Sequence, residues 1–427
     1  MAILQDAKNG KITEEMKIVA ADEGVSPEFI MRGLAAGRIV IPTSPYRDVK
    51  LCGIGEGLRT KVNASIGVSS DIVDVDMEIK KAQAAEKAGA DTLMELGTGG
   101  DFLDIRKKVC DSISLSVGSV PLYQAFITAA RRDGSIVHMT EDDLWSATEE
   151  QAKLGTNFMA IHTGINKVTL ERLKFQGRFG GLCSRGGAFM STWMLHNDKE
   201  NPLFEQVDYL IEILKEHDVT LSTGNGMRAG AIADATDRAQ VQELIINAEV
   251  AEKAHQAGVQ AIVEGPGHVP LDMVETNVKL MKAMSNNKPF YMLGPLVSDI
   301  GAGRDHIVTA IGASTAAAAG CDFLCYVTPA EHLALPNLED VIEGVMTSRI
   351  AAHVGDTIKN KASRDVDLAM GRARAKLDWN AQYKLALDPE LARSVRNSRA
   401  PGDEDACTMC GDFCALKIVN QSYDLCK

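Results

Sequence analysis

The chain has 427 residues, 45% of them hydrophobic and 24% charged, with a formal net charge of −13. That is the composition of a globular protein with room for one large core or several domains. The acidic balance and the lack of a basic tract argue against a nucleic-acid partner. No apolar run reaches the length of a membrane span, and residues 1–8 lack the charged-then-apolar layout of a secretory leader, so the expected location is cytoplasmic. In that compartment nine cysteines point to metal or redox chemistry more than to bridges.

Residues 1–60 read as a helical cap. Thr13 can cap a helix from Glu14, and Ser26-Pro27 is a second start, with Ser as N-cap and Pro at the first helical position. Ile39-Val-Ile-Pro42 is an extended piece stopped by proline. From residue 61 short β-rich runs alternate with Ala-, Glu- and Lys-rich helical stretches. The runs are 62–66, 92–96, 120–123, 158–162, 181–184, 219–223, 261–264, 290–293 and 323–327. Several follow a helix end closed by glycine, at Gly89, Gly155, Gly258 and Gly320, the residue that accepts the left-handed C′ conformation. This alternation predicts a parallel sheet. Nine runs fit an α/β (β/α)8 barrel over 61–350 with one run misassigned or outside it. A doubly wound open sheet is the alternative, but no GxGxxG follows the first run.

Polar residues gather where these runs end: Glu95, Tyr123, His162, Ser184-Arg185-Gly186, Asn225-Gly-Met-Arg228, Glu264-Gly-Pro-Gly-His268, Tyr291 and Ala330-Glu-His332. A barrel places its active site on that face. Beyond residue 350 the pattern turns helical, with Met370, Ala373, Leu377, Ala381 and Leu385 spaced to share one face of a helix over 365–385. A turn-rich linker, 398–405, then leads to Cys407-Thr-Met-Cys410-Gly-Asp-Phe-Cys414. The expected organisation is a cap (1–60), a barrel with substrate and metal site (61–350), and a helical C-terminal domain carrying a cysteine arm (351–427).

Three thiols within eight residues are too tight for a disulfide framework in a reducing compartment. They suit a [4Fe–4S] cluster with one open iron. They also suit a zinc knuckle completed by Cys426. Cys52, Cys110, Cys183, Cys321 and Cys325 read as packing residues.

Together these motifs resemble one family, the thiamin pyrimidine synthases, a non-standard branch of the radical-SAM enzymes. The likeness runs through Ile12-Thr-Glu-Glu-Met16, Pro121-Leu-Tyr-Gln-Ala125, Ile161-His-Thr-Gly164, Ser184-Arg-Gly-Gly187, Glu264-Gly-Pro-Gly-His268 and Cys325-Tyr-Val-Thr-Pro-Ala-Glu-His-Leu333 to the cysteine tail. It implies a [4Fe–4S] cluster on Cys407, Cys410 and Cys414. It implies S-adenosyl-L-methionine cleaved to a 5′-deoxyadenosyl radical, and zinc or another divalent metal on His268 and His332. The implied substrate is aminoimidazole ribotide, contacted by Met94, Tyr123, His162, Ser184, Arg185, Gly186, Gly226, Met227, Arg228, Glu264 and Tyr291, with Glu264 in an acid–base role. The likeness also implies a homodimer whose cluster arm reaches the partner barrel, and an electron donor such as flavodoxin or ferredoxin.

Four positions depart from the family pattern. Asn63-Ala-Ser65 replaces Asn-Ala-Asn, Asn225 stands for Asp, Pro42-Thr-Ser-Pro-Tyr46 replaces Pro-Ala-Asn, and the gap from Cys410 to Cys414 is one residue short. With Ser65 and Asn225 in the substrate shell, the chain resembles the sister branch that makes 5-hydroxybenzimidazole, a cobamide lower-ligand precursor. The pyrimidine synthase is the alternative. A binding or sensing protein built on the cluster is a third reading.

Overall fold

The computed structural model describes residues 3–399 and 406–422. Cys426 and most of the 398–405 linker lie outside the described residues. Two compact units result, Met1–Gly355 and Asp356–Lys427.

Glycine-closed helix ends set the rhythm of the first unit. Gly89, Gly258 and Gly320 cap their helices with φ of 92°, 99° and 117°, a region that glycine enters without steric cost. Each hands the chain to a buried strand. Among the described residues ten strands result: β1 (Ile39–Val40), β2 (Ile54–Gly55), β3 (Lys61–Ile66), β4 (Thr92–Glu95), β5 (Ser116–Ser119), β6 (Phe158–Ile161), β7 (Thr220–Thr223), β8 (Ala261–Gly265), β9 (Phe290–Leu293) and β10 (Phe323–Cys325). The first two form a small antiparallel pair, and the other eight close in the order β10-β3-β4-β5-β6-β7-β8-β9. Closure is made by β10, which pairs in parallel with β3 through Leu324↔Val62 and with β9 through Leu324↔Met292. The expected (β/α)8 barrel is therefore the fold.

Bulky rings fill the barrel. Tyr291 stacks on Phe323 with centroids 4.2 Å apart, and Phe158 meets Phe323 edge-on at 6.2 Å. Small neighbours make room: a Cβ on Gly118 would lie 2.3 Å from the Phe158 ring, and one on Gly265 2.2 Å from Phe290. The N-terminal helices Glu14–Glu23 and Pro27–Ala35 start at Thr13 and Ser26 as their caps predict. They share their own apolar cluster, with Met16, Val19, Ile30, Leu34 and Ile41.

Three readings from sequence are corrected here. The run 120–123 is not a strand. The strand lies earlier, at Ser116–Ser119, because Pro121 opens the helix Pro121–Asp133 as its first residue. The run 181–184 is a loop with a single bridge, Leu182↔Ala229, that feeds the helix Arg185–Asn197 from its cap Ser184. The stretch 365–385 is two helices, Lys361–Ala375 and Trp379–Leu385, because Leu377 turns left-handed at φ 54° and Asp378 caps a new start. In the second unit the guanidinium of Arg396 lies 3.8 Å from the Trp379 ring centroid and that of Arg393 4.7 Å from Tyr383. These contacts tie the helix Pro389–Ser398 to its neighbour.

Candidate active site

A cavity of about 750 Å³ opens at the C-terminal ends of the barrel strands. Of the residues expected from sequence, Ser65, Met94, Tyr123, His162, Ser184, Arg185, Arg228, Glu264, Tyr291 and His332 line it. Gly186, Asn225, Gly226, Met227 and His268 do not.

His162 continues β6 into the cavity. Its Nε2 lies 3.3 Å from Ser184 Oγ, and its buried Nδ1 has no partner. Burial, then the charge of Arg228, lower its pKa to about 3, so the ring is neutral at working pH. Gly186 is required beside it, since a Cβ there would sit 2.4 Å from the ring.

The turn after β7 carries Arg228. Its Nη1 donates to Asn225 O at 2.9 Å, and its Nε is shut off from water with no partner. A buried orphan guanidinium donor is costly unless a ligand oxygen completes it. Arg185, the first residue of its helix, stands exposed with its guanidinium carbon 5.1 Å from the Tyr123 ring centroid. Glu264 ends the wall on β8. Its carboxylate accepts from Ser222 Oγ at 2.8 Å and from Asn225 N at 3.2 Å, while removal from water raises its pKa.

At the floor, Asn63 Nδ2 donates to Tyr291 Oη at 2.9 Å and to Ser65 Oγ at 3.2 Å. Tyr291 Oη in turn lies 3.7 Å from Met94 Sδ. Ser65 Oγ is 3.4 Å from Cys325 Sγ. Cys325, expected as packing, is buried but lines the cavity; Cys183, also expected as packing, is instead exposed and lines it too, as does Lys81. The placement of Cys325 at the end of a strand run was the available signal. Lys81 sits within a helix and gives none.

Asn225 turns away from the cavity. Its Nδ2 donates to Glu243 at 2.6 Å, and the same carboxylate accepts the N–H groups of Gly226 and Met227 at 2.8 Å each.

His268 and His332 come together from different loops, with ring centroids 5.2 Å apart. Asp299 Oδ1 lies 2.9 Å from His268 Nδ1, and Asp305 Oδ1 lies 3.5 Å from His332 Nδ1. A carboxylate on the inner nitrogen is the arrangement that aims Nε2 at a metal. His332 also holds φ 63°, which a β-carbon residue adopts at a cost. His306 is buried, with its Nε2 3.8 Å from Glu343 Oε1.

In the second unit, Cys407, Cys410 and Cys414 are free thiols. Cys407 and Cys410 share a turn in which Cys407 O accepts from Gly411 N at 2.9 Å, and Cys414 O receives Ile418 N at 3.0 Å as the helix Ala415–Ser422 begins. Cys410 is exposed and Cys414 buried. Among the described residues no three His, Cys, Asp or Glu side chains converge as a metal-holding group, so the fit of the cysteine turn to a cluster rests on its donor chemistry. No helix among the described residues is long and apolar enough to cross a membrane.

A closed eight-stranded barrel with charged and polar side chains lining a cavity at its strand ends, and three free thiols within eight residues, define a barrel enzyme acting on a small molecule. The chain belongs to the Radical SAM ThiC family, whose family model matches residues 2–421. Membership brings a [4Fe–4S] cluster and S-adenosylmethionine. Phosphomethylpyrimidine synthase 2 of Methanosarcina acetivorans is 79% identical over 428 residues, covering 100% of both chains. Phosphomethylpyrimidine synthase 1 of Methanosarcina barkeri is 78% identical with the same coverage. The phosphomethylpyrimidine synthase of Methanospirillum hungatei is 70% identical over 422 residues, 99% of each chain.

Proposed function

We propose that the protein converts aminoimidazole ribotide to the phosphomethylpyrimidine that its relatives are named for. The observation that carries the substrate reading is that Arg228, whose buried Nε has no partner, lines the same cavity as Arg185. Two guanidinium groups suit the phosphate of a ribotide, which they can grip in bidentate fashion. Neutral His162 offers its unpartnered Nδ1 to a hydroxyl or ring nitrogen of the substrate. Glu264, held by Ser222 and Asn225, orients the imidazole amine and takes up a proton. The cluster on Cys407, Cys410 and Cys414, when bound, supplies the electron that cleaves S-adenosylmethionine to its 5′-deoxyadenosyl radical. A homodimer and a low-potential donor such as flavodoxin or ferredoxin belong to the same reading.

The product drawn from sequence, 5-hydroxybenzimidazole, gives way to the pyrimidine. Ser65 and Asn225 were its basis, and relatives identical at 70–79% carry the pyrimidine name. The geometry gives Asn225 a local partner: its amide donates to Glu243.

The two histidines are proposed to hold a divalent metal, with Asp299 and Asp305 behind them. Binding of the ribotide against its dephosphorylated riboside tests the substrate reading. The ribotide should bind about tenfold or more tighter, as charge-assisted hydrogen bonds require. Equal affinity would contradict it.

A further inference from the structure

Glu243 lies on the helix Arg238–Ala257, 0% exposed and outside the cavity wall. Its carboxylate takes three donors from one turn: Asn225 Nδ2 at 2.6 Å, Gly226 N at 2.8 Å and Met227 N at 2.8 Å. Arg228 is the next residue, and its Nη1 bonds back to Asn225 O. On its other side Glu243 meets the turn after β6. A Cβ on Gly164 would lie 2.5 Å from Glu243 Cγ and 2.7 Å from Asn247 Oδ1. Asn247, one helical turn on, donates to Gly224 O at 3.1 Å and lies 3.3 Å from Thr163 Oγ1. One face of this helix thus braces both turns from which His162 and Arg228 enter the cavity. A buried carboxylate with three N–H donors on it has the fixed geometry that a positioning group needs.

We propose that Glu243 is a positioning residue for the anion-binding end of the cavity: it fixes the turn of residues 225–227 so that Arg228 presents its guanidinium to the substrate phosphate. The inference rests on the ribotide reading. An amide at 243 offers one acceptor oxygen and sets an NH2 against the remaining N–H donors, so the turn loosens while the rest of the wall stays.

The test is steady-state kinetics of the cluster-loaded, anaerobic Glu243→Gln enzyme beside wild type. The KM for the ribotide should rise about tenfold or more, in line with the loss of buried hydrogen bonds to the turn, with the KM for S-adenosylmethionine unchanged. A merely structural role would lower the active fraction, and so kcat, with both KM values kept. An unchanged ribotide KM in a folded Glu243→Gln protein overturns the proposal. If that variant does not fold, Glu243→Asp, which keeps the carboxyl group at shorter reach, is judged by the same criterion. A wild type that turns over no ribotide removes the substrate reading and this inference with it, whereas wild-type turnover with no KM change in the variant removes the inference alone.

Discussion

His162 Nε2 and Ser184 Oγ stand 3.3 Å apart at the cavity wall, and the ring fits there because position 186 has no side chain. Burial and Arg228 hold the His162 pKa at about 3, below the ordinary value of about 6.5. The folded state therefore favours the neutral ring. Its contribution to stability is complete above pH ~6.5 and is lost as pH falls towards pH ~3, with a slope approaching 1.4 kcal/mol per pH unit. Acid unfolding of wild type against His162→Gln should show a shallower fall for the variant across that window. Histidine-labelled NMR should show the His162 resonance not titrating at pH 5.

Arg228→Lys keeps the charge and loses the fork. Ribotide affinity should fall roughly ten- to hundredfold, the scale of one or two charge-assisted hydrogen bonds. Riboside affinity should not change. Calorimetric titration of both ligands checks this, and equal losses for both would place Arg228 away from the phosphate.

Asp299→Asn keeps the shape beside His268 but weakens the acceptor on Nδ1. If the histidine pair binds a divalent metal, affinity should drop about 10- to 100-fold, as for other outer carboxylates. Metal content after dialysis against graded chelator reads this directly. The melting temperature should stay near wild type, because Asp299 is partly exposed.

Cys410→Ala should abolish S-adenosylmethionine cleavage and lower bound iron while leaving the barrel folded. Cys410 is exposed and adds little to any core. Iron analysis, 5′-deoxyadenosine production and circular dichroism together check it.

The barrel was legible because helix ends and strand starts are local events. Glycine at a helix end and an apolar run after it encode the βα unit within a few residues. The errors came where one local signal masked another. Residues 120–123 look strand-like, yet Pro121 is a helix opener. Leu377 continues an apolar stripe, yet its left-handed φ and the cap at Asp378 break the helix. Cavity residues such as Arg228 and Glu264 were legible as polar strand ends. Glu243 was not: in sequence it is one acid in a charged helix, and its meaning comes from the turn 16–18 positions earlier that folds onto it. The bond from Asn225 to Glu243 was hidden for the same reason.

The most direct test is anaerobic incubation of the reconstituted enzyme with aminoimidazole ribotide, S-adenosylmethionine and a reductant, followed by mass determination of the product. A phosphorylated hydroxymethylpyrimidine, formed together with 5′-deoxyadenosine, is the predicted result. A benzimidazole as the main product, or no consumption of ribotide while S-adenosylmethionine is cleaved, would contradict it.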